Sequence, residues 1–211
     1  MPLQNRVAPD GTIFADPARG LLMGNRGGVL HDVAKRLTSR RWASKQWIAC
    51  TLAYKDRRET IMAPRRYTQL FFLDEATALA AGHRPCALCR RADFLRFMEI
   101  WRRLHELSDR PKVDVVDAVL HEERVGLSKA KVTFEARLGE LPSGAMVAPA
   151  HLCLDGALLA WTPAGYGTPT MADPSAKVQV LTPASIVATI AAGYVPMLHP
   201  SARSISPARS A

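Results

Sequence analysis

The sequence predicts an α+β fold: a small antiparallel sheet with a zinc knuckle, two linking helices, and a second antiparallel sheet with a closing helix. Three observations predict it. Short runs with two-residue alternation gather in two separate parts of the chain. Between them lie two segments whose apolar residues recur at helical spacing. A Cys-x-x-Cys pair, Cys86 and Cys89, stands where the first group of strands gives way to the first long helix.

Residues 1–30 are rich in Gly and Arg and show no periodicity, so an ordered loop is expected there, punctuated by Gly20, Gly24, Gly27 and Gly28. It is not a P-loop, because no Gly-Lys-Ser/Thr follows. Gln46 to Tyr54 alternates and reads as a strand. Lys55 to Arg58 turns the chain, and Glu59 to Met62 is expected to return antiparallel. Tyr67 to Leu73 is a third strand. Asp74 caps a helix over Glu75 to Ala81, which Gly82 ends.

From Cys89 to Leu107 the pattern is helical, with Phe94, Phe97, Met98, Trp101 and Leu104 on one face. A second helix after Pro111 buries Val115, Val116, Val119 and Leu120, and Gly126 closes it. Val132 to Arg137 and Val178 to Leu181 read as strands. Met146 to Cys153 and Leu158 to Trp161 read as a hairpin across Asp155-Gly156. Thr182 caps the closing helix, Pro183 takes its first position and Gly193 ends it. The tail from Ser201, repeating Ser, Ala, Pro and Arg, is expected to be disordered. The division is a basic zinc-binding half over residues 1–107, an α+β second half over 108–200 packed on the first, and a tail over 201–211.

The chain has 211 residues, 48% of them hydrophobic, enough for a real core. No apolar run reaches the ~18 residues of a membrane span. Met1 to Arg6 has no charged start followed by an apolar run, which argues against a signal peptide. Four cysteines are too few for a disulfide framework, and a reducing, cytoplasmic setting is expected. The net charge of +9 is uneven: residues 1–103 hold 19 Lys/Arg against 9 Asp/Glu, and the remainder hold 9 against 10. Nucleic acid is therefore the expected partner, met mainly through its phosphates, with Arg40, Arg41, Arg57 and Arg58 flanking the first hairpin as the positive edge. A solvated arginine-rich surface is the plainer alternative.

Two residues between thiols let both face one ion, while backbone amides donate to the sulfurs. A redox pair shares the spacing, but would sit at a helix start directly after a strand. Phe71 to Arg90, running Leu73-Asp74-Glu75 into Ala81-Gly82-His83-Arg84-Pro85-Cys86-Ala87-Leu88-Cys89, resembles the second half of the metal-binding domain of the Ada DNA-repair protein and of Ada-like zinc modules attached to some bacterial nucleases. The resemblance covers about twenty residues. It implies zinc, two thiolates from Cys86 and Cys89, an aromatic slot at His83, and a link to DNA repair or processing. Such modules carry a second ligand pair close upstream. Here only Cys50 stands there, in a strand, so Cys50 and the more distant His31 are the candidates to complete the site. Cys153 reads as core.

A second constellation lies after Pro111. Asp114, Asp117, His121 and Arg124 share one helix face, and Asp117 stands one turn before His121, where a carboxylate can orient an imidazole and raise its pKa. This supports an alternative function: an enzyme of open substrate using Asp117 and His121 as an acid–base pair, with zinc holding the fold. A solvated face with i,i+4 pairing is the commoner use of such a pattern. Leu159 to Gly167 sets two aromatics in a Pro/Gly loop that either frames a small-molecule ligand or stacks on a base, or else pins itself to the core. No dinucleotide fingerprint or His-Glu-x-x-His helix is present.

Overall fold

A computed structural model describes residues 1–55, 60–126 and 128–203. The fold is α+β; among the described residues there are five α-helices and two six-stranded sheets in which antiparallel pairing dominates. The first sheet is built from β1 (Gln4–Val7), β2 (Ile13–Ala15), β3 (Leu22–Asn25), β4 (Ile48–Thr51), β5 (Leu70–Phe72) and β6 (Arg84–Pro85). Their order is β2-β1-β5-β3-β4-β6, with β1–β5 and β4–β6 parallel and the other pairs antiparallel.

The expected loop over residues 1–30 is therefore corrected: it supplies three strands, each too short for alternation to register. Their buried residues Val7, Ile13 and Leu22 meet Ala49, Leu70 and Phe72 in one core. The glycines permit this close approach. A Cβ on Gly24 would lie 2.2 Å from the carbonyl oxygen of Ile48, and one on Gly20 would lie 1.8 Å from that of Phe72. The expected return strand is corrected too. Glu59 lies outside the described residues, Thr60 to Met62 form no strand, and β4 pairs with β3 and β6.

The helix α1 (Glu75–Ala80) starts at Asp74, whose side chain accepts from the Thr77 amide, and all six of its residues are buried. Such a helix needs neighbours on every side. Ala78 and Ala81 face the first-sheet core, Ala76 and Ala80 the second-sheet core, and Leu79 the long helices. Alanines let backbones approach from three directions, so α1 is the pivot of the fold. The two carboxylates at its start tie down the far end of the chain. Asp74 accepts from Tyr166 Oη at 2.9 Å and the His199 amide at 3.0 Å. Glu75 accepts from Tyr194 Oη at 2.6 Å and the Met197 amide at 2.9 Å.

Two helices follow, α2 (Arg91–Leu104) and α3 (Val113–Arg124). Phe94, Phe97, Met98 and Trp101 are buried as the spacing predicts, while Leu104 is exposed. The α3 stripe is rotated from the expected one. Val116 and Leu120 are buried, Val115 is exposed, and Asp117 and Arg124 are buried beside the apolar pair.

The second sheet is antiparallel throughout. It is made of β7 (Phe134–Arg137), β8 (Met146–Val147), β9 (His151–Leu154), β10 (Ala157–Thr162), β11 (Gly165–Met171) and β12 (Lys177–Val180), in the order β11-β10-β9-β8-β12-β7. Asp155 and Gly156, with φ of 49° and 80°, make the two-residue turn between β9 and β10. The aromatic segment pins itself to the core: Tyr166 reaches Asp74, and Trp161 Nε1 donates to Thr77 Oγ1 at 3.1 Å. The closing helix α4 (Ala184–Ala191) packs with α2 and α3. The tail expectation is corrected at its start, because Pro200–Arg203 form a last helical turn, α5, with Ala202 buried. Residues 204–211 lie outside the described residues. Among the described residues, no helix is long and apolar enough to cross a membrane.

Candidate metal centre

The edge of the first sheet assembles the cysteines. On β4, Cys50 pairs across from Met23 of β3, while the other edge of β4 runs parallel to β6. The ladder continues one residue past β6, where the Cys86 amide donates to the Ala49 carbonyl at 2.9 Å. This places Cys86 beside Cys50. The chain then turns through Ala87-Leu88, and the Leu88 amide donates to Cys86 Sγ at 3.4 Å, the kind of amide-to-sulfur bond a zinc knuckle uses. Cys89 closes the turn. The three sulfurs lie within 4.8 Å of one another and can hold a metal ion.

The cluster favours the thiolate at Cys86. Its pKa is lowered, first because the Cys50 thiol donates to it, then because the Cys89 and Leu88 amides do. The Cys50 pKa is raised for the complementary reason, with burial adding to it. Cys50 and Cys86 are buried and Cys89 is half-buried. All three line one side of a cavity of about 650 Å³, across from Tyr67, Gln69 and Phe71. A set of three sulfurs is soft and suits thiophilic metals. Cys153 lies on β9 in a separate core with Val147 and Val180, and burial pushes its thiol up to about 12.

Two buried arginines grip the knuckle from either side. Arg84, just before Pro85-Cys86, makes a two-point bond to Asp117 of α3, at 2.8 Å and 2.7 Å, with both side chains almost wholly buried (3% and 1% exposed). Arg90, just after Cys89, reaches Glu75 of α1 at 2.8 Å and Asp93 at 2.7 Å. The entry and exit of the turn are thus bolted to two different helices. Neither arginine is among the residues that the sequence assigns to the site. The signal available was position, since each arginine sits within one residue of the Pro-Cys-x-x-Cys run.

The other expected residues fall elsewhere. His31 is not in the sulfur group. It is buried under the Gly-rich segment, with Nδ1 2.7 Å from Thr68 Oγ1 and Nε2 3.3 Å from the Ala63 carbonyl, so both ring nitrogens are engaged. The acid–base pair is corrected as well. Both Asp117 oxygens are taken by Arg84, and His121 Nδ1 instead faces Arg124 Nη2 at 3.3 Å. The His121 pKa is lowered, by burial first and then by Arg124 and Lys45, opposite to what a carboxylate partner would do. Arg40 and Arg41 are exposed, as a phosphate-binding edge requires, while Arg57 and Arg58 lie outside the described residues. His83 is buried against two aromatic rings, its ring centroid 5.1 Å from Trp47 and 4.6 Å from Phe72.

Fold and site together define an α+β protein whose first sheet carries a three-thiol cluster able to hold a metal ion. In comparisons with known proteins, no family model, curated protein or solved structure matches the chain.

Proposed function

We propose that the chain is a zinc protein that associates with nucleic acid through its phosphates. The observation that carries the metal reading is the meeting of Cys50 with Cys86 and Cys89, from a strand and a turn more than thirty residues apart, at one sheet edge. Zinc, rather than copper or an iron–sulfur cluster, is favoured by the Ada-like run through Cys86 and Cys89. Bound there it would join β4 to the turn that opens α2, where Arg84 and Arg90 already fix the geometry. Purified protein should hold about one zinc per chain.

The nucleic-acid reading is supported by the basic excess in the same half of the chain and by exposed Arg40 and Arg41. A role in DNA repair or processing follows only from the Ada-like run. A gel-shift titration with duplex and single strands tests the association. Binding should fall by orders of magnitude between ~50 and ~200 mM salt, and each lost phosphate contact should flatten the log–log slope by ~0.7–0.9. The variant carrying both Arg40→Gln and Arg41→Gln should bind more weakly with a shallower slope and an unchanged metal content. Absence of any shift at ~50 mM salt with micromolar protein would remove the nucleic-acid reading and leave the metal centre standing.

A further inference from the structure

A second site lies on the first sheet, away from the sulfurs. A cavity of about 370 Å³ opens between the β1–β2 turn, the segment before β4 and the end of α3. Five basic side chains line it: Arg26, Arg41, Arg124, Lys129 and Lys131. One carboxylate, Asp10, is at its wall. It is exposed and already accepts from the Thr12 amide and hydroxyl.

The deep members of this set are unusual in what they touch. Arg26 and Arg124 are 3% and 2% exposed, and both guanidinium groups lie against the Trp47 ring, 3.9 Å and 4.2 Å from its centroid. Arg26 donates to the Gly11 carbonyl at 2.9 Å and, more loosely, to His83 Nε2 at 3.4 Å. Arg124 donates to the Gly82 and Lys45 carbonyls. Lys131 donates to the Ala80 carbonyl at 2.6 Å. Every one of these acceptors is neutral. Arg124 Nε, buried, has no acceptor at all. Elsewhere in the same fold buried arginines are paired with carboxylates, as Arg84 is with Asp117 and Arg90 with Glu75. The nearest other carboxylate, Asp117, is fully used by Arg84.

Burial, and for Arg26 the neighbouring Arg124, lowers the Arg26 pKa to about 9. Burial lowers Arg124 to about 9. Burial and then the two arginines lower Lys131 to about 7. Like charges are thus held together largely out of water, offset by carbonyl dipoles, the Trp47 ring and more distant carboxylates, with no carboxylate bonded to any of the three. A chain gains nothing in stability from that arrangement, and the natural counterpart is an anion bringing several acceptor oxygens.

We propose that this cavity is a binding site for a phosphomonoester group. The phosphate oxygens are received by Arg26, Arg124 and Lys131, and the remainder of the ligand lies toward half-buried Trp42 and exposed Arg41. A planar dianion with fewer oxygens would leave part of the donor set unused. The site requires neither the metal nor Arg40; it shares Arg41 with the proposed nucleic-acid edge, so Arg40→Gln, which should leave phosphate binding unchanged, separates the two readings. The phosphomonoester has two sources: a free small phosphate ester, or the terminal phosphate of a nucleic-acid strand.

The test is calorimetric titration of the full chain with inorganic phosphate, up to ~10 mM at constant ionic strength held with chloride. Wild type is expected to bind one phosphate and to melt at rising temperature as phosphate increases, with chloride giving no such rise. Lys131→Met and Arg41→Gln should each weaken binding by at least tenfold. Arg41→Gln alters an exposed side chain, so it keeps the test decisive if the half-buried Lys131 variant folds poorly. Competition by a 5′-phosphorylated short strand, but not by its 5′-hydroxyl twin, supports a strand terminus as the source. Binding of phosphate without competition from either strand supports a small ester. No binding of phosphate by wild type, or binding unchanged in both variants, overturns the proposal.

Discussion

Two clusters on the first sheet crowd like groups together, and they differ in how the fold supports them. The sulfur cluster is braced by compensated charge. Arg84 and Arg90 stand on either side of it, each bonded to a buried carboxylate, and the knuckle amides point at Cys86. The cationic cavity has no such brace: Arg26, Arg124 and Lys131 bond only to neutral acceptors. The difference separates two uses of buried charge. A paired charge fixes the position of something else, here the turn that carries two thiols. A cluster that bonds only neutral acceptors keeps its charge for what it receives.

The comparison breaks most visibly on the paired side. Asp117→Ala leaves Arg84 buried without its carboxylate and should cost ~3–5 kcal/mol, measured by denaturant unfolding. It should also weaken metal retention against a chelator, because Arg84 is held two residues before Cys86. A loss below ~1 kcal/mol would mean that the pair braces nothing. Truncating an anchor on α1 is expected to cost less. Tyr166→Phe removes the phenol from Asp74, which keeps its other donors, and should cost ~1–2 kcal/mol by the same assay.

On the unpaired side the sign should reverse. Lys131→Met replaces a half-buried cation that has no carboxylate partner with an apolar chain of similar length. Stability should be unchanged or higher by up to ~1 kcal/mol, while anion binding is lost. A marked destabilisation would show that the carbonyl bond to Ala80 matters more than the crowding of charge.

The smallest effect is on pH. His83 is buried, and its pKa is held well below 6.5, by burial first and then by Arg26 and Arg124. The unfolded chain therefore binds a proton near pH 6.5 that the folded chain refuses. The stability contribution of neutral His83 is complete above ~6.5 and is lost as pH falls below it. His83→Phe, which keeps a ring against Trp47 and Phe72, should flatten the fall in melting temperature between pH ~6.5 and ~5. His121 acts in the same direction, more weakly, because it is less buried.

The legible parts of this fold are those where periodicity and punctuation agree. Asp74, the alanines and Gly82 announce α1, and Phe94, Phe97, Met98 and Trp101 announce α2. Cys86 and Cys89 were legible from spacing, and Cys50 through the Ada-like resemblance, which calls for ligands close upstream, where Cys50 stands. What escaped reading depends on contacts between distant segments. The strands β1 to β3 are three or four residues long and separated by glycines that serve close packing, so they carry no period to detect. The polar residues on α3 look like a solvated or catalytic face until Arg84, 33 residues away in sequence, takes Asp117. The cationic cavity draws on at least four separated segments, so no local run of the sequence announces it.

The central claim is that three specific sulfurs, and not the Cys-x-x-Cys pair alone, hold one zinc. Metal analysis of wild type, Cys50→Ser and Cys153→Ser, purified in parallel and challenged with the same chelator, tests it most directly. The account predicts about one zinc per chain in wild type and in Cys153→Ser, and loss of most of it from Cys50→Ser. Full zinc retention by Cys50→Ser would contradict it.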